Sequence, residues 1–208
     1  ASGDFLENGD ALILSAADAT HTITVQNPIS TNGAVRTIQV DNGSAATDAV
    51  ISGVISSTGG ITKTGTGLLS LTATNTNTGV TTISAGVLSV ATIGNGGVAG
   101  NLSQASNAAG NLVLNGGTLQ YTGATASTDR NYTLPNGTTS SIDITTAGTN
   151  LTISGASTGT SGALTKIGSG TLTLAGANAY TGTTTISAGT LKLRSEERRV
   201  GKECSLPC

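Results

Sequence analysis

Few residues of this chain could do chemistry, and their spacing narrows what that chemistry would be. Asp18 and Asp41 stand 23 positions apart with Arg36 between them. In a solenoid of roughly 20–25 residues per coil that spacing would stack two carboxylates on adjacent coils. Paired carboxylates serve glycoside hydrolysis, and a carboxylate cluster can hold a calcium ion. Solvated residues that cap turns are the simpler assignment for both. Asp129 and Arg130 lie in the turn STDRN, where an Asx-turn or local ion pair accounts for them. His21 opens the strand pattern HTITV and is the chain's one histidine, and Cys204 and Cys208 are its only cysteines. A metal site through His21 therefore lacks its other ligands. The stretch GNGGVAGN at 94–101 has the glycines of a calcium repeat without the interleaved aspartates, which makes it a loop. Serine is abundant, yet no G-x-S-x-G elbow occurs. No catalytic, cofactor-binding or metal-binding residue is assigned, and the chain is expected not to be an enzyme.

The elements that would position such residues must be built from an unusual composition. Of 208 residues, 30 are Gly, 10% are charged and 2% are aromatic, with one Phe, no Trp and no Met. A globule of this length normally fills its interior with large side chains. Small aliphatic residues suffice if every coil of a solenoid adds the same few Leu, Ile and Val to a narrow core. A hydrophobic content of 36% and regular alternation argue against disorder. The net charge of −2 leaves no basic stripe for phosphates, so nucleic acid is excluded as an expected partner. No run approaches the roughly 18–20 apolar residues of a spanning helix. The start, ASGDFLENGD, lacks the regions of a signal peptide, so export signals are expected outside this segment.

An internal repeat is the strongest pattern. Residues 61–90, ITKTGTGLLSLTATNTNTGVTTISAGVLSV, align without a gap on 164–193, LTKIGSGTLTLAGANAYTGTTTISAGTLKL. Lys63 maps onto Lys166, and TTISAG at 81–86 returns as TTISAG at 184–189. The structural positions of the unit are Gly65, Gly67, Asn75, Gly79 and Gly86, repeated as Gly168, Gly170, Asn178, Gly182 and Gly189. Gly and Asn recur where a chain needs a tight corner or positive φ.

Within the unit, apolar residues alternate with Ser and Thr, as at Leu69 and Leu71 or Leu172 and Leu174. Period two predicts strands. Further short strands are expected at 11–14, 21–25, 36–40, 49–55, 111–121, 140–144 and 150–155. Evenly spaced turns and a narrow aliphatic core favour an all-β, right-handed single-stranded parallel β-helix over a sandwich. About eight to ten coils are expected, with four to five between the repeats. The β-helix body is assigned to 1–194. The stretch SEERRVGKECSLPC from Ser195 has six charged residues in 14 and is assigned as a non-native or disordered tail, 195–208.

At 164–193 the sequence resembles the passenger-associated transport repeat of autotransporters, whose G-S-G-T-L-T-L segment, Asn-rich turn, Y-T-G-x-T-T-I segment and A-G-T-L end stand here in order. The copy at 61–90 departs with Leu68 for Thr and Asn77 for Tyr. The stretch 110–134 is similar to material linking such repeats. The resemblance implies a passenger exported across the outer membrane and folded as a parallel β-helix, secreted or displayed at the bacterial surface, with the repeat aiding folding and secretion. It assigns no catalytic residue. A structural stalk supporting adhesion to a host or neighbouring cell is the expected role. A β-helix carbohydrate-active enzyme fragment or a glycan-binding module is the alternative. Uncapped coils at either end predict end-to-end self-association.

Overall fold

The computed structural model describes residues 11–193; the assigned tail at 195–208 lies outside them. The chain winds as a parallel β-solenoid whose coils each lay down short strands on successive faces. The first coil contributes β1 (Ala11–Ser15), β2 (Ile23–Val25) and β3 (Ile29–Ser30), and the second β4 (Arg36–Val40), β5 (Ala49–Ile51) and β6 (Ile55–Ser56). The repeat follows as β7 (Ile61–Thr64), β8 (Leu68–Leu71), β9 (Thr81–Ile83) and β10 (Val87–Val90). Next come β11 (Leu112–Leu114), β12 (Thr118–Tyr121), β13 (Ala126–Thr128), β14 (Thr139–Ile144) and β15 (Asn150–Ile153). The second repeat closes the described chain with β16 (Ala163–Ile167), β17 (Thr171–Leu174), β18 (Thr184–Ile186) and β19 (Thr190–Leu193).

Pairing always joins one coil to the next. One sheet runs β1-β4-β7-β9-β11, a second β2-β5-β8-β10-β12-β14-β16-β18, and a third β13-β15-β17-β19, all parallel. Such strand–crossover–strand connections take the right hand. The register stacks like on like: Leu69, Leu88, Leu119 and Ile142 form one inward column, and all four are 0% exposed. Each such residue contributes roughly 1.5–3 kcal/mol by leaving water. Ser70, Ser89 and Gln120 alternate with them on the other side of the strands, as period two requires.

The second sheet holds eight strands and therefore seven turns, a rise of about 34 Å at the usual strand spacing. Eight strands on this face mark eight coils, the lower bound of the eight to ten expected, and coil length is uneven. Leu69 to Leu88 takes 19 residues, whereas Leu88 to Leu119 takes 31. The long coil spreads its apolar residues over a loop, where Ile93, Leu102 and Ala105 are buried without forming a strand. The segment 49–55 divides at Ser52–Val54 into β5 and the two-residue β6. Strands β3 and β13 were not legible as such, being two and three residues long. Tyrosine also enters the core, with Tyr121 and Tyr132 2% and 1% exposed.

Candidate functional site

The residues that the repeat brings together make a corner between two stacked coils. In β7 the alternation that turns Ile61 inward turns Lys63 inward too, and both are buried. The Lys63 ammonium donates to the carbonyls of Thr64 (2.7 Å), Gly65 (2.8 Å) and, on the next coil, Ala85 (3.3 Å). Lys166 repeats this arrangement on Ile167 (2.5 Å), Gly168 (2.9 Å) and Ala188 (3.4 Å). An ammonium has three donors and no acceptor, so each lysine spends its full capacity on two carbonyls of its own coil and one of the next. Burial lowers the Lys63 pKa from 10.5 to about 8, against the pull of Asp41 and Asp48. Burial also lowers that of Lys166, opposed by Asp143.

The carbonyls can converge on the ammonium because glycines turn the corner. Gly65 and Gly168 have φ of 72° and 74°, and Gly86 and Gly189 have φ of 62° and 66°, the left-handed region that costs other residues energy. A Cβ on Gly86 would also stand 2.5 Å from the carbonyl oxygens of Gly65 and Gly67. The remaining repeat glycines mark close approaches. A Cβ would lie 2.7 Å from the Asp41 carbonyl at Gly67, 2.6 Å from the Thr146 carbonyl at Gly170, and within 2.3 Å of the neighbouring coil's backbone at Gly79 and Gly182.

Both repeat asparagines reach across coils. Asn75 accepts from the Ile55 amide at 2.8 Å and donates to the Asn101 carbonyl. Asn178 accepts from the Ser157 amide at 3.2 Å and the Tyr132 hydroxyl at 2.9 Å, and donates to the Gly176 carbonyl.

The candidate catalytic groups are placed otherwise. Asp18 is exposed on the turn after β1. Asp41 accepts from Gln39 at 2.8 Å and sits near Lys63. Arg36 is buried and donates through Nε to the Thr31 carbonyl at 3.1 Å. Asp129 accepts from the Gly96 amide, while Arg130 leaves its turn for the interior. There its guanidinium donates to the carbonyls of Ile93, Gly94, Asn95, Ser103 and Ala105, tying the long coil's loop to the body. The His21 ring is exposed beside Thr20 Oγ1 at 2.8 Å. Among the described residues no three His, Cys, Asp or Glu gather where they could hold a metal ion, and no helix is long and apolar enough to cross a membrane.

Two stretches, 61–90 and 164–193, match the family model of the passenger-associated-transport-repeat. The chain is 43% identical over 218 aligned positions to the protein named Adhesin BmaC autotransporter of Brucella suis biovar 1 (strain 1330), across 91% of this chain. The chain belongs to the autotransporter passengers that carry this repeat. It spans 6% of that relative's length. No solved structure matches it. As a passenger segment, it is secreted or displayed at the cell surface.

The lysine corner escaped the sequence reading although its signal was present. Position 63 is inward by the same alternation that buries Ile61, and the match of Lys63 to Lys166 marked it as part of the unit. Nothing in the letters distinguishes a core donor on an apolar face from a solvated position of the repeat.

Proposed function

We propose that this segment is a non-catalytic stalk, whose repeats help the passenger fold as it is exported and whose rod supports adhesion of the parent protein. The reading is carried by the duplicated corner, in which a buried lysine bonds three carbonyls on two coils. A newly exported coil cannot bury its core alone and becomes stable only against a neighbour. A side chain that bonds two coils within one 30-residue unit gives such a chain a local pair to fold first. Four of the five Lys and Arg among the described residues are buried against backbone carbonyls, a use of charge for structure rather than for substrate. The relative's name, an adhesin, supports a surface with binding partners on other cells. End-to-end association of the segment is part of the same reading, since the terminal coil of a parallel solenoid presents unpaired strand edges to another copy.

The test is surface display of the parent passenger carrying Gly86→Val with Gly189→Val, which breaks both corners. The expected outcome is a several-fold loss of protease-resistant passenger at the cell surface, with cell adherence falling in parallel. Unchanged display and protease resistance would remove the folding and export role.

A further inference from the structure

The two repeats differ most tellingly just before their second coils. In the second repeat the hydroxyl of half-buried Tyr180 lies 2.7 Å from the Oγ1 of exposed Thr184. The equivalent residues of the first repeat are Asn77 and Thr81. Both are sealed from solvent at 0% exposure, yet Asn77 Oδ1, Asn77 Nδ2 and Thr81 Oγ1 meet no protein partner. The neighbouring Asn75 has both ends of its amide bonded, so the loop as such can satisfy its polar groups. An asparagine side chain is shorter than a tyrosine by most of a phenol ring. The surroundings are otherwise closed: Thr81 is paired in register with Ile61 and Leu112, and the Gln104 amide of the long coil's loop donates to the Asn77 carbonyl.

Buried amides and hydroxyls in native interiors find partners, and where protein supplies none an ordered water does, usually with about three hydrogen bonds. We propose that Asn77 and Thr81 form a buried water site, in which one or two water molecules occupy the place of the Tyr180 phenol and bridge the Asn77 amide to the Thr81 hydroxyl. The chemistry matches water rather than an ion. Both groups are neutral, and between them they offer donors and acceptors at once. The first repeat therefore carries a hydrated point within its apolar column where the second carries an aromatic side chain.

A crystal structure of the full chain at a resolution that shows ordered solvent tests this directly. Density within hydrogen-bonding distance of both Asn77 and Thr81 is expected. A direct Asn77–Thr81 hydrogen bond with no density between them would overturn the site, and this reading needs no variant to fold. The second arm measures thermal midpoints of Asn77→Tyr, Thr81→Val and the double variant. Replacing the water with the phenol should raise the midpoint by about 2–4 °C, and Thr81→Val should cost more in the Asn77→Tyr background than alone. A folded Asn77→Tyr chain with an unchanged or lower midpoint would show that no phenol-sized polar site exists there.

Discussion

The two repeats share their corner geometry but neither their face nor their cover. Strands β7 and β9 pair in the first sheet, whereas their equivalents β16 and β18 pair in the second; β8 and β10 pair in the second, whereas β17 and β19 pair in the third. Along the second sheet, four turns carry Leu69 through Leu88, Leu119 and Ile142 to Lys166, yet the equivalent of Leu69 is Leu172, on the next face. The interval between copies is therefore four turns and one face. The lysine bonds nonetheless agree within about 0.2 Å. The repeat is thus a unit of corner rather than of face, and any of the solenoid's faces accepts it. Burial comes from elsewhere. Ile83 and Val90 are 0% and 1% exposed beneath the coil of β11 and β12, whereas Ile186 and Leu193, in the last described coil, are 53% and 52% exposed.

The sharpest way to break this comparison is at the corner glycines. Gly86→Ala combines positive φ with a clash against two carbonyls and should cost about 3 kcal/mol, lowering the global unfolding midpoint. Gly189→Ala meets the same obstruction in a less covered coil, so the expected response is local. Amides of β18 and β19 should lose hydrogen-exchange protection while the midpoint changes little. Equal loss of midpoint in both variants would show that the end coil is as tightly coupled to the rod as the interior one.

Next in size are the lysines. Lys63→Met keeps the stem's packing and leaves the Thr64, Gly65 and Ala85 carbonyls without their donor, an expected loss of about 1–3 kcal/mol in chemical denaturation. Lys166→Met removes the donor from the Ile167, Gly168 and Ala188 carbonyls in the same way, and a comparable loss is expected. A stabilising Lys63→Met would mean that the ammonium's desolvation outweighs its three bonds.

The contrast also shows what could be read from the letters. Strands over 36–40 and 140–144, and over the first four residues of 150–155, followed from alternation, because inward columns are mostly apolar and outward ones prefer Thr and Ser. The corner glycines followed from their exact recurrence. The change of face did not, because a sequence offset counts residues and not corners, and a coil of 19 residues is followed by one of 31 without a mark in composition. The interior of Arg130 was hidden for a related reason. Its five acceptors lie 25–37 positions earlier, so nothing within the turn STDRN distinguishes a buried guanidinium from a solvated one.

The asparagines come third. Asn75 is 1% exposed and joins Ile55 to Asn101, while Asn178 is half-buried. Asn75→Ala should cost about 2 kcal/mol and Asn178→Ala about 1 kcal/mol, measured as denaturation midpoints. A reversed order would show that the Tyr132 bond to Asn178 matters more than depth.

The smallest effect is the pH dependence of the lysines, and its sign follows from burial. Unfolded Lys63 keeps its proton up to 10.5, while in the folded chain it releases it near 8. Between those values the unfolded state binds more protons, so the lysine's contribution to stability rises with pH across that window and is flat below it. Asp41 and Asp48 face this group and oppose the shift without reversing it. Lys166, shifted in the same direction, adds to the slope. Tyr121, whose pKa burial raises above 10.0, acts oppositely, because its unfolded form ionises first, but only from about pH 10 upward. Unfolding free energies measured from pH 8 to 10 should therefore rise in the parent chain and rise less in Lys63→Met. A parent chain with a flat profile would mean that the three carbonyls hold the Lys63 proton as firmly as water does, their bonds offsetting the whole cost of burying the ammonium.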